Sequence, residues 1–188
     1  MENLASSAPG SNMFVTNTGL ITSNGPMGPN VMTAAWTHHI SYNPALIMVN
    51  AELGDATLEN ILATKEFGVN LASDQQNVLS SISGNNSGKN VNKITLLKEL
   101  GFEFYDGEKI KAPMVKGAAL NVELKLIRHE PMGDHIILIG EVLVSSVNES
   151  AKPLIYSGGK YWKFGENIKK PEQGVLDKIT NITEKHKK

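Results

Sequence analysis

A mainly β fold, a barrel closed on itself with helices at its rim, is what this sequence predicts. Three observations carry the prediction. Short apolar and β-branched runs recur along the chain, set apart by turn residues such as Asn24-Gly25-Pro26-Met27-Gly28-Pro29 and Asn43-Pro44. Helical spacing is confined to a few short inserted stretches. The second half is almost entirely strand-like, and strands that outnumber helices in this way close most simply into a barrel. A length of 188 residues without an internal repeat suits one domain.

The elements follow in order. Residues 1–12 are small and polar and are expected to form a flexible arm. The domain is expected over 13–170, with a charged tail over 171–188. Met13-Phe14-Val15 and Gly19-Leu20-Ile21-Thr22 read as short strands, and 24–29 as a tight turn. Asn30 to Thr37 returns as a strand, and Ala45 to Asn50 forms a third. The period then changes: Leu58, Ile61 and Leu62 recur at helical spacing behind Asp55 as N-cap. Phe67 to Leu71 is a strand. Asp74 starts a helix carrying Val78, Leu79 and Ile82, and Ser83 to Asn92 is a loop of Ser, Gly and Asn. Thr95 to Leu100 is a short helix stopped by Gly101.

Leu120, Val122, Leu124 and Leu126 alternate with Asn121, Glu123 and Lys125, a strand with one wet face. Pro131-Met132-Gly133-Asp134 turns the chain. Ile136 to Val144 is apolar on both faces, which predicts a central strand or one covered by a partner subunit. Tyr156, Gly158-Gly159 and Tyr161 to Phe164 are expected to close the sheet, and a helical tail follows Pro171.

Composition narrows the function. At 40% hydrophobic and 20% charged residues the chain is of ordinary globular type. A net charge of -1 gives no reason to expect a nucleic-acid partner. No apolar run approaches a membrane span, and residues 1–12 lack a basic start and an apolar core, so a cytoplasmic protein is expected. With no cysteine, disulfides, Cys-ligated clusters and thiolate nucleophiles are excluded. Redox chemistry would then need an organic cofactor, or a metal held by His and carboxylates. Adjacent His38 and His39 point to opposite faces of a strand and cannot easily share a metal, so no metal site is expected. No Ser–His–Asp set, P-loop or dinucleotide glycine motif is evident.

Two segments stand out as candidate binding elements. Asn30-Val31-Met32-Thr33-Ala34-Ala35-Trp36 places small residues and an aromatic ring beside a strand. Gly54-Asp55-Ala56-Thr57-Leu58-Glu59-Asn60-Ile61 opens a helix, where free N–H groups and a threonine hydroxyl suit a phosphate. Thr57 and Asn60 share one helix face. A flat ring with a phosphate tail, as in FMN, would use both segments. Read alone, the second segment is as well explained by Asp55 capping an ordinary helix.

Further motifs fall in a familiar order. Val31 to Trp36, Ser41-Tyr42-Asn43-Pro44, Thr57 to Ile61 and Phe67 to Leu71 are followed by Lys111-Ala112-Pro113. Gly133-Asp134-His135, Ile139-Gly140-Glu141-Val142 and Tyr156 to Trp162 come next. Together they resemble the flavin reductase-like family, which includes the flavoredoxins, over roughly Met13 to Gly165. The resemblance implies a split β-barrel homodimer with one FMN near each subunit interface. It implies either reduction of flavin by NADH or NADPH, or an FMN electron carrier served by a redox protein partner.

The cofactor-binding set expected on this basis has two ends. Asn30, Thr33, Ala34, Ala35, Trp36 and Asn50 lie toward the ring, where backbone N–H groups of 33–35 would meet its polar edge. Trp36 either stacks there or packs between subunits. Thr57, Asn60, Lys89, Lys93 and His135 lie toward the phosphate; Lys93 stands where the family has a phosphate-binding lysine, with Lys89 as a second candidate. Trp162 and Phe164 are expected to cover the ring. No catalytic residue is assigned, since hydride transfer needs ring-to-ring proximity more than a proton donor. One departure is plain: members often carry Arg or Lys just before the helix threonine, and here Glu52 and Asp55 are acidic. That departure also leaves open a structural barrel that binds no flavin.

Overall fold

Seven antiparallel strands form one sheet whose two end strands are consecutive in the chain. The computed structural model describes residues 8–187. A 3-10 helix, Pro9–Met13, precedes β1 (Thr16–Asn17), β2 (Gly19–Ser23), β3 (Asn30–Ala34), β4 (Thr37–Tyr42) and β5 (Ala45–Glu52). Then come α1 (Ala56–Thr64), β6 (Glu66–Leu71), α2 (Asn77–Asn85), α3 (Lys93–Glu99), β7 (Phe104–Asp106) and β8 (Pro113–Val115). The chain ends with β9 (Leu120–Met132), β10 (His135–Val147), β11 (Ile155–Ser157), β12 (Lys160–Trp162) and α4 (Gln173–Lys185).

The sheet order is β3-β2-β6-β9-β10-β5-β4. Its end strands, β3 and β4, are joined only by Ala35 and Trp36. That link can reach at most about 11 Å, so the sheet has to curl until its ends meet. Asn50 N–H donates to Trp36 O at 3.0 Å and carries the β4–β5 ladder into the link. The Asn17 amide donates to Thr37 O from outside it.

Every residue of β2 is buried, because both of its faces are covered. Ile21, Phe67, Val69, Leu124 and Leu138 fill the barrel, and Leu58 and Ile61 of α1 join them as a plug. Leu20 and Val31 face outward instead, against Leu79, Ile94 and Leu97 of the α2–α3 pair. A barrel interior plus one helix-covered face accounts for the mixture of alternating and continuous apolar runs in the sequence.

Most expected elements are present, and β10 is central, between β9 and β5. Several details differ. Residues 1–7 of the expected arm lie outside the described residues, and its remainder leads into the 3-10 helix. The expected strand at 13–15 is instead an exposed approach to β1. The strand expected over 30–37 breaks at Ala35-Trp36, where the chain crosses the seam. The second helix starts at Asn77 and not at Asp74, whose N–H is engaged by Lys152 O and whose carboxylate meets Lys163 at 3.3 Å. The strands at 155–162 do not close the barrel; β11 and β12 pair with β1 in a separate three-stranded sheet.

Glu123, expected on a wet face, is buried. Its carboxylate accepts the N–H groups of Glu108, Lys109 and Ile110 at 2.8, 2.6 and 3.1 Å. It therefore clamps the loop before β8, and the hydrogen bonds offset the cost of burying it.

Candidate functional site

A cavity of about 260 Å³ opens where the barrel seam meets the N-terminus of α1 and the α2–α3 loop. The β3 segment and its link to β4 supply one wall, from Asn30 to Trp36. As an end strand, β3 has one edge that the sheet does not use. Asn50 and Glu52 of β5 and His135 of β10 add the floor, and Asp55, Ala56 and Thr57 begin α1. The opposite wall is Ser83, Gly84, Asn86, Ser87, Gly88 and Lys93.

The local reasons for this geometry can be read off the contacts. Thr33 Oγ1 donates to Ser80 O at 2.6 Å and fixes α2 against β3. Asn30 Nδ2 donates to Thr57 Oγ1 at 2.8 Å and fixes the start of α1 against the same strand. At Gly88 an added Cβ would stand 2.5 Å from Asn30 Nδ2, so only glycine lets the loop come this close. Asp55 occupies the N-cap position of α1, but its side chain makes no capping hydrogen bond. The positive end of the α1 dipole is therefore left open toward the cavity.

Lys93 is 2% exposed, and its ammonium donates to Ser83 O at 3.0 Å. Burial pushes it down to about 8, against the opposing pull of Asp55. Asp55 is moved the other way. Burial, reinforced by Glu52, raises its carboxyl above the usual range, while Lys93 and His135 draw it back. His135 Nδ1 lies 2.7 Å from Asp134 Oδ1, and its ring packs on Trp36 with centroids 4.9 Å apart. Two buried polar atoms in the cavity wall, Asn50 Oδ1 and Ser83 Oγ, have no hydrogen-bond partner. Buried polar atoms are nearly always paired, so the Asn50 acceptor and the Ser83 hydroxyl, which can donate, both suit a ligand or water.

A second cavity of about 450 Å³ adjoins the first and shares Ala35, Trp36 and Asn50 with it. It is largely apolar, lined by Val15, Met48, Ile155 and Phe164 among others. The arrangement thus has an apolar end at the seam and a polar, partly cationic end at α1. This shape suits a flat ring joined to an anionic tail.

The expected residues divide accordingly. Asn30, Thr33, Ala34, Ala35, Trp36, Asn50, Thr57, Lys93 and His135 are brought together in the first cavity, and Phe164 lines the second. Three are not brought in. Asn60 turns inside α1 and holds the β2–β3 turn: it donates to Gly28 O and Ser23 Oγ at 2.8 and 3.1 Å and accepts from Met27 N at 2.8 Å. Lys89 is ion-paired with Glu59 outside the cavity. Trp162 donates its indole N–H to Ser157 O at 3.0 Å and lines neither cavity. Sequence reasoning missed Ser83, Ser87 and Gly88. The signal was present in Ser83-Gly84-Asn85-Asn86-Ser87-Gly88, a run of small polar residues leading to Lys93. Among the described residues, no cluster of His and acidic side chains could hold a metal ion, and no helix is long and apolar enough to cross a membrane.

The chain is 30% identical over 162 residues to an uncharacterized protein of Archaeoglobus fulgidus, covering 83% of this chain and 88% of that one. It is 25% identical to the FMN reductase (NADH) SmoA of Agrobacterium fabrum, over 80% of each. The solved flavoredoxin of Desulfovibrio vulgaris (Miyazaki F) superposes with a TM-score of 0.75 at 25% identity, over 93% of this chain and 100% of that one. Residues 11–165 match the model of the flavin reductase like domain, and the chain belongs to that family.

Proposed function

We propose that this chain binds FMN in the first cavity and transfers electrons as a flavin-dependent oxidoreductase with NADH as donor. The observation that carries the reading is the unpaired pair Asn50 Oδ1 and Ser83 Oγ, set in one cavity with the buried Lys93 ammonium. Bound flavin would supply the hydride and electron chemistry, which none of these side chains can perform. Lys93, Ser83, Thr57 and the open N-terminus of α1 would hold its phosphate. The backbone of 33–35 would meet the polar edge of the ring, and Asn50 Oδ1 would accept from a ribityl hydroxyl or ring N–H. The apolar second cavity, beginning at the shared Trp36, would exclude water from the face where a donor stacks. The named activity of SmoA supports NADH as that donor.

The second reading is an FMN carrier reduced by a protein partner. It is favoured by the solved flavoredoxin, which covers 93% of this chain against 84% for the solved flavin reductase PheA2. Anaerobic mixing of the yellow holoprotein with NADH, then NADPH, decides between them. Bleaching of the visible flavin band by NADH is expected. Bleaching by neither would leave the carrier reading, and a colourless protein that takes up no flavin would overturn both.

We infer further that the working unit is a homodimer. Trp36, Tyr42 and Met132 are more than half exposed, and α4 buries none of its residues, leaving Val175, Leu176, Ile179 and Ile182 uncovered. Exposed apolar area of this extent calls for a partner surface. A monomeric mass by light scattering would overturn this part.

A further inference from the structure

The polar end of the first cavity is built for an anion, yet two carboxylates face it. Glu52 and Asp55 enter from the corner between β5 and α1, Lys93 from α3 and His135 from β10; among the described residues no other charged side chain lines the cavity. Lys89, the next cation along, is engaged by Glu59. Two carboxylates thus face one lysine ammonium and one imidazole. A phosphate monoester adds a further charge of about -1.5 to -2 at neutral pH. A third anion beside two carboxylates is relieved most directly by protonating one of them.

We propose that Asp55 takes up a proton when the flavin phosphate enters and, as a neutral carboxylic acid, donates a hydrogen bond to a phosphate oxygen. FMN binding by this chain is then proton-coupled. The inference rests on the flavin reading above and deepens it. Asp55 is the carboxylate placed for the role. Its side chain makes no capping bond and is held only by a backbone N–H of Glu52, whereas the Glu52 side chain is exposed and screened by water. Burial and Glu52 already press its carboxyl upward. Ser83, whose buried Oγ has no hydrogen-bond partner, belongs to the wall opposite Asp55. Lys93 is already charged below about pH 8, so it takes up little at neutral pH. The balance is one proton from solvent onto one Asp55 oxygen, shared with the phosphate, with no bond broken in the flavin.

The test is calorimetric titration of the flavin-free protein at pH 7 in buffers of different ionisation enthalpy. FMN is compared with riboflavin, which has the same ring and no phosphate. FMN is expected to bind with net proton uptake and riboflavin with none. Between pH 6.5 and 7.5 the FMN dissociation constant should rise, by up to about tenfold per pH unit for one proton. Asp55→Asn supplies a neutral donor and remains a good N-cap. It should abolish the uptake, flatten the pH slope and bind FMN at pH 7.5 at least as tightly as the parent. The phosphorus NMR shift of FMN bound to the parent should be that of a dianion. Uptake unchanged in Asp55→Asn, no uptake in the parent, or a monoanionic bound phosphate would each overturn the assignment. Failure of both FMN and riboflavin to bind would instead overturn the flavin reading itself.

Discussion

Replacing Asn60 with alanine separates a structural role from a cofactor role. Asn60 is fully buried, and its amide makes hydrogen bonds with Ser23, Met27 and Gly28. Truncation leaves all of those partners unpaired. The Ser23 hydroxyl lies in a dry interior and should cost about 2 kcal/mol, since an unmet buried polar group costs about 1–3 kcal/mol. Met27 and Gly28 sit in a half-buried turn that water can reach, so each should cost about 0.5–1 kcal/mol, within the net worth of a typical hydrogen bond. The sum is about 3–4 kcal/mol. For a chain of this length that lowers Tm by about 6–16 °C. Urea unfolding of the flavin-free protein should show a lower midpoint at unchanged slope. Asn60→Asp should do no better, because it keeps the acceptor for Met27 and aims a carboxylate oxygen at Gly28 O. Flavin affinity, measured at a temperature where the variant is folded, should change less than threefold. A variant as stable as the parent but unable to hold FMN would refute this reasoning and return Asn60 to the binding site.

Two further outcomes follow from the same contacts. Lys93→Met should weaken FMN binding at least tenfold at pH 7 without destabilising the flavin-free protein, because it removes a buried charge along with the phosphate contact. The Lys93 ammonium falls from 10.5 to about 8 on folding, so between those pH values the unfolded chain binds the extra proton. Stability of the flavin-free parent should therefore rise from about pH 8 to 10.5 through this group, and the rise should be missing in Lys93→Met. A variant less stable than the parent at pH 7 would refute the account. Gly88→Ala should displace Asn30, break its bond to Thr57 and cost about 1–3 kcal/mol by overpacking. Flavin retention through gel filtration should fall with it; unchanged retention and melting would show that the loop simply moves.

The sequence was most legible where side-chain period alone decides. Helices α1 and α3, strands β6 and β10 and the turn at 24–29 announce themselves by spacing and turn chemistry. It was least legible where a polar side chain serves a distant backbone. Glu123 alternates like a surface residue, and only the loop at 108–110, folded over it, makes it a clamp. The same limit governs the site. Thr57 and Asn60 share a helix face by spacing, yet one borders the cavity and the other is consumed by the β2–β3 turn. Lys93 and, behind it, Lys89 are both phosphate candidates on paper. The fold separates them, because Glu59 captures the first and α3 buries the second. Ser83 gave no periodic signal, since its importance lies in lacking a partner.

The two-residue link between β3 and β4 bears on how such a protein can change over generations. Ala35 and Trp36 close the barrel and line both cavities, so an insertion there would open the fold and the ring end together. The loop from Asn86 to Asn92 borders the same first cavity but carries none of the barrel's hydrogen-bond ladder. Away from Gly88, its length and charge can drift at little cost to stability. The ring end is therefore tied to the architecture, while the phosphate end is free to be retuned.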